Sequence, residues 1–201
     1  MHAQTQSLPF VLEDRTGAYT STDFDDIYDR AFFHVVYAPQ SSAVMLYSMN
    51  RRASRHRDAH WQPHLHTPAA VLEFAVDGGL GNVSFAPTPS SKGMVLPMAR
   101  YLRKTSLFGR SLSRKFGCSD GREYKWVQQP RDALRGGTQE WVCTPAENDA
   151  YIVAHYDLKP ADVRAYGVSG NSLTIYEASA HLTLEILASF IIMRHIQQYN
   201  L

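Results

Sequence analysis

The sequence predicts an all-β domain whose strands close into a barrel around a buried C-terminal helix. Three observations carry that expectation. Short segments rich in β-branched and aromatic residues recur along the chain, separated by Gly, Pro, Asn and Asp clusters. Several alternate in polarity, so each strand has one face to bury. The last segment is different: Leu182, Leu184, Ile186, Leu187, Phe190, Ile191, Ile192, Met193 and Ile196 cover nearly every direction around a helix axis. A helix that is apolar all round must be surrounded, and in a β protein a closed or nearly closed barrel surrounds it. A helix shared with a partner chain is the alternative.

The candidate strands, in order, are Phe10 to Glu13, Ala31 to Ala38, Ala43 to Met49, Ala70 to Val76, Gly81 to Ala86, Ser113 to Phe116, Glu123 to Gln128, Glu140 to Cys143, Tyr151 to Tyr156 and Ser172 to Glu177. Ser119-Asp120-Gly121 supplies a glycine able to take positive φ between Phe116 and Tyr124, and Glu147-Asn148-Asp149 plays the same part before Tyr151. Asn50 to Pro68 carries Arg51, Arg52, Arg55 and Arg57 with four histidines and no apolar period, which reads as an exposed insertion. Gln129 to Thr138, with Pro130, Gly136 and Gly137, reads as a hairpin loop. Asp23, Asp25, Asp26 and Asp29 form an acidic cluster expected in a solvated loop. Ser179 is placed to cap the terminal helix. His195, Gln197, Gln198 and Tyr199 turn polar again, as an end emerging into water would.

Composition bounds the function. The 201 residues suit one domain, and 44% hydrophobic with 19% charged residues excludes wholesale disorder. Twenty Lys and Arg against 19 Asp and Glu leave a net charge of +1, so no overall field draws nucleic acid or acidic substrates. Cys118 and Cys143 are too few for a disulfide framework, a four-cysteine zinc site or a cysteine-ligated cluster, and read as free thiols. The first seven residues lack the basic and apolar regions of a secretory signal. Leu182 to Ile196 contains Glu185 and Arg194 and is too short for a membrane span of roughly 20 residues. The expected location is the cytosol, with a peripheral position on a membrane as its variant.

A resemblance rests on the block from Lys104 to Trp126. An aromatic-Gly-Arg step (Phe108, Gly109, Arg110), a basic strand ending in Phe116, the Asp120-Gly121 turn and Tyr124-x-Trp126 on the returning strand are followed by short strands and the apolar helix. In this the chain resembles a family of fungal proteins of uncharacterised function with a Tubby-like barrel, over roughly Met94 to the C-terminus and more loosely before it. The resemblance implies the fold shared by Tubby C-terminal domains, phospholipid scramblases and LURP-one proteins, about a dozen strands around a hydrophobic helix. It implies no activity, since fold does not fix function.

The richest basic region runs from Arg100 to Lys125. On a hairpin, Arg114 and Phe116 share one side and Lys115 takes the other, while Lys125 projects opposite to Tyr124 and Trp126. Arg103, Lys104, Arg110, Arg114, Lys115, Arg122 and Lys125 are the candidate residues for an anionic head group, with arginine forks on phosphate oxygens. The competing interpretation is an edge kept soluble by its charges. An anionic membrane surface, a phosphoinositide or a protein is the expected partner. Nucleic acid is disfavoured by the near-neutral total.

His60, His64 and His66 have spacings that metal sites use, but Pro63 argues against a helix across the first pair, and a solvated loop is the preferred interpretation. No cofactor fingerprint or glycine-rich phosphate loop occurs. Cys118, beside a turn and among cations, is the candidate for a favoured thiolate, with His155 and His181 as bases if the fold gathers them. A non-catalytic binding or adaptor module is therefore expected first, a structural or protein-interaction domain second and an enzyme third.

Overall fold

The computed structural model describes residues 8–50, 52, 66–88, 92–106, 111–129, 140–158 and 169–201. The strands are β1 (Phe10–Asp14), β2 (Thr22–Asp26), β3 (Phe32–Ala38), β4 (Ala43–Met49), β5 (Ala70–Glu73), β6 (Asn82–Phe85), β7 (Met94–Pro97), β8 (Arg103–Lys104), β9 (Arg114–Gly117), β10 (Glu123–Gln129), β11 (Glu140–Pro145), β12 (Ala154–Asp157) and β13 (Asn171–Ile175). A one-turn helix α1 (Met98–Tyr101) lies between β7 and β8, and a 3₁₀ turn (Glu177–Leu182) leads into the long helix α2 (Thr183–Tyr199).

These 13 strands form one sheet in the order β7-β6-β5-β4-β3-β2-β1-β13-β12-β11-β10-β9-β8. Every pairing is antiparallel, and the chain's two ends meet where β1 pairs β13, Phe10 opposite Ile175. No ladder joins the outer strands β7 and β8 among the described residues, yet residues 98–102 are all the chain needs to pass from one to the other. A segment of that length reaches no more than roughly 20 Å. The sheet must therefore curl until the ends of its two outer strands lie within that distance.

What it curls around is α2. Residues 186–193 are buried without interruption, and at 3.6 residues per turn a run of that length points in every direction. Phe190 packs 4.3 Å from the ring of Tyr156 on β12 and 5.5 Å from that of Trp126 on β10. Ser189, fully buried, accepts the indole N–H of Trp126 at 2.9 Å and donates to the carbonyl of Ile186. That is the reason a hydroxyl stands in an apolar helix.

The one cation in the apolar stretch has a comparable solution. Arg194 donates to the phenol oxygen of Tyr156 at 3.1 Å and to the carbonyl of Gly17, with its guanidinium over the Tyr156 and Phe190 rings. Tyr156 in turn donates to Asp14 at 2.8 Å, and the other oxygen of Asp14 accepts from Thr22 and the Gly17 N–H. Helix, first hairpin and β12 are thus tied through one polar chain.

All ten candidate strands are present, with ends displaced by up to three residues. Three strands went unread. β2 was expected to be an acidic loop, because Asp is depleted from strands. It pairs instead with β1 and β3, burying Phe24 on its inner face and placing Asp23 beside His34 on the next strand. β7 and β8 are short edge strands whose sequences show no alternation of polarity. The cap expected at Ser179 is not made: Ser179 is buried in the 3₁₀ turn, and α2 starts at Thr183, whose hydroxyl donates to the Ala180 carbonyl. The loop Gln129 to Thr138 lies outside the described residues except for Gln129, and so does most of the insertion Asn50 to Pro68.

Candidate functional site

The basic hairpin forms as β9 and β10, with Lys115 opposite Lys125 and Arg114 opposite Trp126. Gly121 sits in the turn at φ +79°, where a Cβ would meet nothing, so the turn needs glycine for its backbone conformation alone. Asp120 completes it by accepting from the Arg122 N–H at 3.0 Å and the Tyr124 hydroxyl at 2.6 Å. Phe116, Tyr124 and Trp126 are buried. The described residues behind the family resemblance therefore build a turn and a core.

As an anion site the hairpin is depleted. Arg114 belongs to the inner face and is 2% exposed, donating to the backbone oxygens of Leu201 at 2.6 Å and of Ser111 and Ser113. This corrects its place among surface cations: alternation that puts Phe116 inside puts Arg114 inside as well. Arg103 is paired with Glu123, and Lys125 lies 2.5 Å from Asp149. Lys104 is exposed at the end of edge strand β8. Lys115 and Arg122 line a shallow depression of about 720 Å³ with Tyr151, but Glu123 and Glu147 line it too. Arg110 lies outside the described residues.

Other sequence candidates disperse. His60 and His64 lie outside the described residues, His66 is exposed, and no cluster of metal-ligating side chains occurs among the described residues. Cys118 and Cys143 are free thiols. The thiolate expected at Cys118 is opposed, because burial and then the Glu185 carboxylate push its pKa well above the ordinary thiol value. Glu185 is held there by the N–H and hydroxyl of Ser119, which staple the hairpin turn to the first turn of α2. His155 lies against Asp157 and Tyr176 on the outer side of β12.

The acidic cluster is resolved into different environments. In Asp26, hydrogen bonds from Arg30 and the Val11 N–H outweigh the upward push of burial and hold the pKa low. Asp25 is buried, and neither carboxylate oxygen has a hydrogen-bond partner among the described residues; Arg52 and Arg15 stand at 3.8 and 3.9 Å, and burial raises its pKa.

A second concavity lies where the C-terminal end of α2 meets three turns of the sheet. Tyr19 comes from the β1–β2 turn, Tyr37 and Ser42 from the β3–β4 hairpin, Phe74, Ala75, Val76 and Gly78 from the β5–β6 turn, and His195, Gln198 and Tyr199 from the helix. Together they line a cleft of about 340 Å³. His195 forms its rigid wall. Its ring stacks on Phe74 at 3.8 Å and lies 4.5 Å from Tyr199, four residues on along the helix. Nε2 is 2.8 Å from the Gly78 carbonyl and Nδ1 is 3.2 Å from the Tyr19 hydroxyl. At 4% exposure the imidazole is held neutral, burial having lowered its pKa.

The expectation that His195 emerges into water is thereby corrected: the β5–β6 turn folds over it. Gly78 makes this possible, since it stands at φ +83° and a Cβ there would come 2.6 Å from the Tyr199 ring. A histidine inside an otherwise apolar helix, with a tyrosine four residues later, was the available sequence signal. Phe74 was expected within the strand Ala70 to Val76, which ends instead at Glu73, and Gly78 lies in the turn beyond it.

Compared with family models, curated proteins and solved structures, the chain matches none. Its class is accordingly the one its own geometry defines, a curled antiparallel sheet wrapped on a central helix with an aromatic cleft at one end.

Proposed function

We propose that the chain is a non-catalytic binding module, built as a closed Tubby-like barrel and working in the cytosol, whose binding site is the cleft beside His195. The observation that carries the reading is the cleft itself. Four aromatic side chains, Tyr19, Tyr37, Phe74 and Tyr199, meet the hydroxyl of Ser42 and the amide of Gln198 around about 340 Å³ at the mouth of the sheet. Ligand sites are of this size and favour the mouths of barrels. Outer strands joined by a short segment and an enclosed helix support closure, and two free thiols suit a reducing compartment.

Catalysis is disfavoured by the same groups. The Tyr19 and His195 pair has the outline of an activated hydroxyl, but burial raises the tyrosine pKa and lowers that of the histidine. Both shifts oppose the proton transfer that would create a phenolate nucleophile.

A fragment screen by ligand-observed NMR tests the reading. Fragments are expected to bind the full chain saturably, and Ala75→Trp, which fills the cleft, is expected to abolish binding while circular dichroism stays native. Binding indifferent to that substitution, or no binding at all, defeats it. A second reading, an anionic head group held by Lys115 and Arg122 beside exposed Tyr151 and Ile152, keeps the support of the 720 Å³ depression. It predicts salt-sensitive flotation with phosphoinositide vesicles that Lys115→Glu removes.

A further inference from the structure

The hydrogen bonds of the cleft wall define the polarity of its occupant, given that the cleft is a binding site as proposed above. A backbone carbonyl can only accept, so His195 Nε2, 2.8 Å from the oxygen of Gly78, carries the imidazole hydrogen. Buried and neutral, the ring then presents a bare lone pair at Nδ1. The Tyr19 hydroxyl, 3.2 Å away, has one hydrogen and spends it there. Its oxygen is left with lone pairs only. A phenol that usually serves as donor or acceptor is thus fixed as an acceptor by a tautomer set on the far side of the imidazole.

Shape and charge narrow the occupant further. Phe74, Tyr37 and Tyr199 offer ring surfaces, which favour a flat partner by stacking or edge contact. No residue lining the cleft, among those described, carries a formal charge, so an anion finds no cation. Aromatic cages do hold ammonium groups. Here, however, Arg194 already acts on Tyr19 as a positive charge, and no carboxylate lines the cleft among the described residues.

We infer that the cleft takes a neutral, flat ligand of one or two fused rings that donates a hydrogen bond, as an indole-type N–H or a phenol O–H does, to Tyr19 Oη.

The test titrates the full chain with indole, with benzofuran (the same shape with an oxygen in place of the N–H) and with phenyltrimethylammonium, each followed by ligand-observed NMR. Indole is expected to bind roughly tenfold more tightly than benzofuran, the size of one hydrogen bond left unmade. Tyr19→Phe is expected to erase that preference by weakening indole alone. In the unmodified protein, ¹⁵N shifts of His195 are expected to show the neutral tautomer protonated at Nε2, a readout that requires no variant. Equal affinities for indole and benzofuran, tightest binding of the ammonium, a preference that survives Tyr19→Phe, or a proton on Nδ1 each overturn the inference. If other fragments still bind and Ala75→Trp still excludes them, the cleft stands as a site and only its assigned ligand class falls.

Discussion

Trp126 and Ser189 meet in the centre of the molecule, indole N–H to hydroxyl oxygen at 2.9 Å, both side chains fully buried. The pair joins the middle of β10, the third strand from the β8 edge of the sheet, to the middle of the helix and sets the rotation of α2 about its axis. A buried donor that loses its acceptor costs about 1–3 kcal/mol. Ser189→Ala should lower stability by that amount, a fall in Tm of several degrees in a chain of this size. Thermal and urea unfolding measure it. A Trp126→Phe, Ser189→Ala double variant should lose less than the sum of the singles, because the second change removes the orphaned N–H. Strict additivity would mean that the contact is not made in solution.

Ile191 is completely buried among eight successive buried helix residues. Ile191→Asp places a charge where no direction leads to water, at a cost of at least about 4 kcal/mol against a typical total of 5–15. The variant should be largely unfolded by circular dichroism, whereas Gln198→Asp, on an exposed position of the same helix, should melt near the native temperature. A natively melting Ile191→Asp would contradict a helix enclosed by the sheet.

Asp25 and His195 respond to pH in opposite senses. The folded-state pKa of Asp25 is raised by burial, so the folded chain holds that proton more tightly than the unfolded one. Its contribution is full below the unfolded value near 3.8 and is lost as pH rises through the higher folded value. The pKa of His195 is lowered from 6.5, so its contribution is present above that pH and is lost on acidification through the folded value. Asp25→Asn removes the first effect alone. Measured by urea unfolding between pH 3.5 and pH 7, the variant should gain on the unmodified protein steadily as pH rises. A constant difference would show that Asp25 titrates normally.

How much of this was legible can be argued from single residues. The strand Ser172 to Glu177 alternates so regularly that its inner residues, Leu173 and Ile175, could be named from spacing alone, and both are fully buried. The turn at Asp120-Gly121 was equally local. Arg114 marks the limit. Its inward position followed from the alternation, but whether a guanidinium on the inner face escapes to water or is consumed by backbone oxygens depends on where Leu201 lies, 87 residues away. Asp25 and Asp26 show the same limit, since only the arrival of Arg30, Arg52 and Arg15 makes a strand of acids tolerable.

The sequence by itself determined what repeats at short range: the β class, ten of the strands, the hairpin turn and a helix too apolar to stand in water. Period and turn chemistry are properties of neighbouring residues, so they survive without the fold. Only the tertiary structure decided which charges remain available and where a ligand could sit. The cleft gathers Tyr19, Tyr37, Phe74 and His195 from three turns and a helix, and the His195 tautomer depends on a carbonyl 117 residues distant. Such an arrangement leaves no pattern along the chain, because it exists only once the sheet has curled.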